Sequence, residues 1–270
     1  MAGSALRRLM PEALGIGSSR RSLLREIEGS SDVTLLVGPG NIGDQLIAAG
    51  ARQLLSGAFY TERLMRRRKE GGFVGLEEGV GGHTALVIGG GGWCRPFNTF
   101  WPVLLPLIEE RFEKVVVLPS SVDSSAASVR GALEMTSATV FAREQESHRQ
   151  LEELCRARLA HDTAFFFDFS PYRRRGHGLL RAYRTDKEAA SDRPLPAEND
   201  DISVSCASLD HWLWTIARHE SVETDRAHVM IAAAMLGKQV RYRSSSYHKV
   251  PAIARYALRR RAVEPLLESA

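Results

Sequence analysis

From residue 33 onward, apolar runs of strand length alternate with amphipathic stretches of helix length. That alternation points to a parallel β-sheet covered by helices on both faces, the pattern of an α/β fold. Strands are expected at Val33–Val37, Ala85–Ile88, Lys114–Leu118 and Ala138–Phe141, with helices at Asp44–Ser56, Thr99–Arg111, Ser124–Met135 and Gln145–Arg158. In such sheets ligands gather at the carboxyl ends of the strands, so the loops beginning at Gly38, Gly89, Pro119 and Arg143 belong to one rim.

A second unit begins near Leu179, with a strand at Leu179–Tyr183, a polar loop to Asp201 and a strand at Ile202–Ser205. Helices near Leu209–His219 and Arg226–Leu236, a strand at Gln239–Arg243 and a last helix from Tyr247 complete it. The architecture expected is two Rossmann-like parallel-sheet domains facing across a cleft, residues 31–170 and 178–270, behind an N-terminal arm of residues 1–30. The join falls between Phe169 and Gly178, and an apolar content of 44% is ample for packed cores.

A net charge of +4 is too small to imply nucleic acid and suits an anionic substrate or a lipid surface. Arg7, Arg8, Arg20, Arg21 and Arg25 concentrate in the arm, whose competing reading is a short amphipathic helix on anionic lipid at the inner face of a membrane. No continuous apolar stretch there has signal-peptide or membrane-spanning length. Cys94, Cys155 and Cys206 are odd in number and widely spaced, which fits a reducing cytoplasm. With no Asp-x-Asp and no His/Cys cluster of recognised spacing, no metal is expected.

Gly38-Pro39-Gly40-Asn41-Ile42-Gly43 matches the dinucleotide fingerprint in form, with Glu62 near the expected distance downstream. Asp44 argues against that reading, because it sets a carboxylate in the helical turn where a pyrophosphate would sit, and Phe59–Arg63 is too short and polar for a buried second strand. Asn41, Gly43 and Asp44 can instead meet sugar hydroxyls or orient a nucleophile; alternatively Asp44 only caps its helix. Gly89 to Gly92 form either a second rim loop where backbone N–H groups can approach a ligand, with Trp93 offering a stacking face, or simply a close strand-to-helix crossing. Arg143, at a strand end, suits bidentate capture of carboxylate or phosphate unless Glu144 or Glu146 pairs with it. Arg226 and His228 open a buried helix after Thr224 and Asp225, and His228 is either a proton donor or a satisfied core histidine.

Taken in chain order, Gly40–Asp44, Gly89–Gly92, Arg143–Ser147, Arg184-Thr185-Asp186, Arg226-Ala227-His228 and Tyr247-His248-Lys249 resemble the polysaccharide pyruvyl transferases over about Val33 to Tyr256. Ala227 stands where that family usually has Leu. The resemblance implies a GT-B-like fold and transfer of enolpyruvate from phosphoenolpyruvate onto a sugar, forming a cyclic ketal and releasing phosphate. The acceptor would be a sugar, an oligosaccharide or a lipid-linked saccharide, with no cofactor and no nucleic acid. It also implies His228 as general acid, Asp44 as base, and Arg143 and Arg226 as holders of phosphate and carboxylate. Asn41, Gly43, Gly90, Gly91 and Lys249 would be further substrate contacts. A GT-B-like glycosyltransferase using a nucleotide sugar is the rival reading.

Overall fold

The computed structural model describes residues 11–69, 72–77, 79–91, 93, 100–186, 188–189 and 194–266. Gly92, Cys94, Thr99, Arg7 and Arg8 lie outside the described residues. The fold is α/β, with a six-stranded and a four-stranded sheet, each wholly parallel.

In the first sheet the elements run α1 (Pro11–Arg25), β1 (Val33–Val37), α2 (Ile42–Leu54), β2 (Thr61–Leu64), a small antiparallel pair β3 (Arg66–Arg67) and β4 (Phe73–Val74), and β5 (Gly82–Val87). There follow α3 (Phe100–Glu109), β6 (Phe112–Ser120), α4 (Ala127–Glu134), β7 (Thr139–Ala142), α5 (Gln145–Glu152) and β8 (Arg156–Leu159). The strand order is β2-β1-β5-β6-β7-β8. Period-two alternation in the strands divides the core between the two faces. Val115 and Val117 of β6 pack with Leu104, Leu105 and Ile108 of α3, whereas Val116 and Leu118 face the cluster holding Ile47, Ala51 and Leu54 of α2.

The second sheet is formed by β9 (Leu179–Ala182), β10 (Ser221–Thr224), β11 (Gln239–Tyr242) and β12 (Val263–Pro265), in the order β12-β11-β10-β9. Its helices are α6 (Ile202–Ser205), α7 (Leu209–Ala217), α8 (Ala227–Met235) and α9 (Lys249–Ala257). α8 is the central one, buried from Ala227 through Ala234. The core around it also takes in Ile42 and Leu46 from α2, so that helix packs on both sheets.

Four sequence expectations change. Ile202–Ser205 alternates like a strand but is one helical turn, because Val204 N and Ser205 N bond back to the Asp201 carbonyl at 2.8 and 3.0 Å. The helix expected over Gln145–Arg158 stops at Glu152, and Arg156–Leu159 forms the edge strand β8, with no residue of it fully buried. Thr61–Leu64 is indeed not buried, yet it pairs with β1 as an exposed edge strand. The arm contains α1, whose Leu23 is 3% exposed and whose Ser19 Oγ lies 2.8 Å from His161 Nδ1. Among the described residues no helix is long and apolar enough to cross a membrane.

His161 fastens α1 to the body. Its ring packs on Phe165 and Tyr256, and burial pushes its pKa down to about 4. An unfolded histidine titrates near 6.5, so as the pH falls from about 6.5 towards 4 the unfolded chain takes up a proton that the native chain refuses. The stability present above pH ~6.5 is therefore lost on acidification, by an amount on the order of 3 kcal/mol. We expect the difference in melting temperature between wild type and His161→Gln to narrow from pH 7.5 to pH 4.5. A constant difference would show that His161 does not titrate in this way.

Candidate functional site

One pocket opens where the carboxyl ends of both sheets face each other. From the first sheet it is lined by Asn41, Gly43, Asp44, Gly89, Gly90, Gly91, Trp101 and Arg143; from the second by Arg184, Glu188, Arg226, His228 and Lys249. Asn41, Gly43, Asp44, Gly90, Gly91, Arg143, Arg226, His228 and Lys249, all expected from sequence, thus reach it.

At the start of α2, Asn41 Oδ1 accepts from Gly43 N at 2.8 Å and Asp44 Oδ2 accepts from Asn41 N at 2.9 Å, a reciprocal capping box. Asp44 therefore caps its helix and lines the pocket at the same time, with Oδ1 turned towards Gly90. Gly90 turns the rim at φ +53°, a conformation favouring glycine, and its carbonyl accepts from Ser121 N at 3.0 Å. Gly43 is needed for a different reason. A Cβ there would lie 3.0 Å from His228 Cβ and Nδ1, so glycine lets the first turns of α2 and α8 approach without displacing the His228 ring.

Arg143 leaves β7 almost wholly buried, at 1% exposure, and its partner is neither Glu144 nor Glu146. Nη1 donates to Asp162 Oδ2 at 2.7 Å and Nε to Ser121 Oγ at 2.8 Å. Asp162 follows β8 and is itself 1% exposed; its Oδ1 accepts from Ala164 N at 2.8 Å. Burial works to raise the Asp162 pKa, but the hydrogen bond to His228 and the charge of Arg143 hold the carboxyl well below the usual range.

His228 Nε2 lies 3.1 Å from Arg143 Nη1 and 3.4 Å from Asp162 Oδ2. A guanidinium nitrogen only donates, so a neutral His228 that accepts at Nε2 carries its proton on Nδ1. An imidazolium would give its Nε2–H to Asp162 instead. In both of these arrangements Nδ1, on the Gly43 side of the ring, carries a proton, whereas the other neutral tautomer gives Nε2–H to Asp162 and leaves Nδ1 an acceptor.

Behind the second sheet's rim, the arginines are held by carboxylates in two-pronged contacts. Asp201 accepts from Arg226 Nε at 2.6 Å and Nη2 at 2.5 Å, and Asp186 accepts from Arg184 Nε at 2.7 Å and Nη2 at 3.0 Å. Asp186 also accepts from Arg226 Nη2 at 3.0 Å, joining the two. Glu188 accepts from both Arg184 Nη1 and Lys249 Nζ.

The stacking face expected of Trp93 is absent: Trp93 is fully buried in the first core, while Trp101 supplies the aromatic wall of the pocket. His248 turns to Ser147 and Glu144, at 3.3 and 3.4 Å, and does not line the pocket. Burial raises the Cys155 thiol to about 11, so it is a poor nucleophile. Among the described residues no group of three or more metal-ligating side chains forms. Sequence reasoning missed Asp162, Glu188 and Trp101. Asp162 could have been found as a carboxylate at a strand end, had β8 been recognised as a strand.

A family model described as polysaccharide pyruvyl transferase matches residues 41–247. The fold is similar to the crystal structure of a functionally uncharacterised protein from Klebsiella pneumoniae subsp. pneumoniae NTUH-K2044. The TM-score is 0.70 at 21% identity, over 90% of this chain and 94% of that one. No curated protein matches the chain.

Arg143 and Asp162 test the site's dependence on its buried pair. Removing one partner of such a pair strands the other charge, at a typical cost of about 3–5 kcal/mol. Asp162→Ala should lower the chemical-denaturation midpoint accordingly, whereas a surface control such as Glu134→Ala should leave it within about 0.5 kcal/mol. A change below about 1 kcal/mol for Asp162→Ala would mean that the pair is solvated.

Proposed function

The chain belongs to the polysaccharide pyruvyl transferase family, and we propose that its pocket takes phosphoenolpyruvate and transfers the enolpyruvyl group to a saccharide as a cyclic ketal. One observation carries this reading: a histidine nitrogen, a carboxylate and several guanidinium and ammonium groups converge on the same pocket at the carboxyl ends of two parallel sheets. The two sheets are read as two domains, residues 31–170 and 178–270, in a GT-B-like arrangement with the donor between them.

The donor's methylene carbon must gain a proton before its neighbour becomes electrophilic. His228 supplies that proton from Nδ1, and Asp162, accepting at Nε2, stabilises the imidazolium that does so. A sugar hydroxyl adds to the resulting oxocarbenium-like carbon, losing its proton to Asp44. A second hydroxyl closes the ketal and returns its proton to His228, while phosphate departs carrying the proton collected by Asp44. Arg143 holds the donor through Nη2, the one guanidinium nitrogen with no bond to a described residue. Arg226 contributes through Nη1, since Asp201 and Asp186 occupy its other donors. Asn41, Gly43, Gly90 and Gly91 line the remaining wall, and Lys249 adds an ammonium.

The acceptor in this reading is a polysaccharide sugar or its lipid-linked precursor, and the reaction belongs to the cytoplasm or the inner face of a membrane. No cofactor or metal is called for in this reading, because the protein supplies the proton transfers and the anion contacts.

Calorimetric and thermal-shift titrations should show saturable binding of phosphoenolpyruvate. At a hundredfold excess over Kd it should stabilise the fold by about 2.7 kcal/mol. Uridine and guanosine diphosphate sugars should give no such shift. The reverse result would move the chain to the nucleotide-sugar glycosyltransferases.

The sharper test is His228→Gln, which keeps much of the ring's volume but cannot deliver a proton near neutrality. We expect kcat to fall about 10²–10⁴-fold with donor affinity largely retained. Near-normal turnover would leave His228 a packing residue.

A further inference from the structure

The four cations that line the pocket differ in how they are neutralised. Arg143 is paired with Asp162 and Arg226 with Asp201 and Asp186, carboxylates that do not line the pocket. Arg184 is gripped from one edge by Asp186, which leaves only Nη1 pointing elsewhere, and that nitrogen donates to Glu188. Lys249, 6% exposed, donates to the same Glu188 oxygen. Among the described carboxylates that neutralise these cations, Glu188 alone lines the pocket.

Gly91 locates the open side of this cluster. A methyl group placed on it would sit 3.7 Å from both Lys249 Nζ and Arg143 Nη2, in ordinary contact with each. The Gly91 surface is thus bordered by Arg143 Nη2, Lys249 Nζ and Tyr247 Oη, and Arg184 Nη1 joins this cluster through the Glu188 oxygen that it shares with Lys249.

We propose that this cluster frames an anion subsite for a phosphoryl or carboxylate group, occupied in the unliganded chain by the Glu188 side chain as an internal stand-in. Two cationic donors converging on one carboxylate oxygen present the charge-assisted geometry by which proteins hold phosphate. Lys249 also depends on an anion being there. Burial lowers its pKa and the Glu188 charge raises it, so a negative group at this place favours the charged ammonium. A ligand anion enters as the Glu188 side chain rotates away, exchanging one negative group for another. The subsite rests on geometry alone; its assignment to the phosphoenolpyruvate phosphate rests on the function proposed above.

The test is calorimetric titration of inorganic phosphate into the full chain, wild type against Glu188→Gln. Glutamine keeps the shape of the side chain and removes its charge, so phosphate should bind at least tenfold more tightly. Adding Lys249→Met to the variant should abolish the gain. Glu188→Asp, which draws the carboxylate back from the two cations, should shift affinity in the same direction and serves if the glutamine variant proves unstable. Unchanged or weaker phosphate binding in both Glu188 variants would overturn the subsite.

A parallel titration separates this inference from the donor reading. If phosphoenolpyruvate binds wild type and neither Glu188 variant gains affinity for phosphate, the subsite falls and the donor reading stands. If the variants gain affinity for phosphate but phosphoenolpyruvate does not compete for it, the subsite stands and the donor reading falls.

Discussion

A single buried carboxylate, Asp162, sets the geometry on which the pocket depends. It accepts from Ala164 N on its own loop, from Arg143 at the end of β7, and faces His228 at the start of α8. A charge at 1% exposure is tolerable only while its partners hold their positions, so three segments from both sheets are constrained by one group. Such a pair adds little net stability over a well-packed apolar substitute. Its consequence is positional: it fixes which nitrogen of Arg143 stays available and which nitrogen of His228 meets the pocket.

The same scheme recurs in the second sheet. Asp186 and Asp201 each occupy one edge of a guanidinium, and each arginine is left with a nitrogen outside that pairing. A guanidinium fastened along one edge has surrendered its side-chain entropy before any ligand arrives. Long cationic side chains in open solvent would have to be ordered on binding. The pocket thus combines strong anion contacts with a modest net charge, since most of its positive groups are already balanced by carboxylates set back from the ligand. That arrangement reconciles a pocket rich in cationic groups with an overall charge of only +4.

Much of this was legible in the sequence where strong periodicity met a loop. Val33–Val37 with the Gly38–Asp44 loop, and Arg226–His228 opening an apolar helix, each combine a buried element with polar residues at its end, and both lie where such patterns place them. Edge elements were not legible. All four residues of β2 are exposed and β8 is only partly covered, and the polar Arg156-Ala157-Arg158 stretch follows an amphipathic helix so closely that it reads as part of it. Losing β8 hid Asp162, which as an isolated aspartate carries no spacing signal. Glu188 was hidden in a polar loop where every charge looks solvated, and only tertiary contact with Arg184 and Lys249 distinguishes it. Trp93 was misread because a tryptophan after four glycines fits a ligand wall as well as a core; its burial against Val122 is a long-range fact.

The position of α2 shows why pocket and fold are hard to separate. Ile47, Ala51 and Leu54 pack into the core of the first sheet, while Ile42 and Leu46 belong to that of the second. One helix therefore serves as a wall of both cores, and its first turn carries Asn41 and Asp44 into the pocket already fixed by the capping box. Opposite it, the first turn of α8 carries His228, and the two turns touch at Gly43. Each helix N-terminus presents a partial positive charge of about half a unit, so their convergence adds a field that favours an anion without adding a titratable group. A side chain at position 43 would press on the Asn41 and His228 side chains, 3.0 Å from its Cβ, and would require them to shift by a few tenths of an ångström. In the proposed reading, acid, base and anion attraction are thus coupled through one close backbone contact at Gly43.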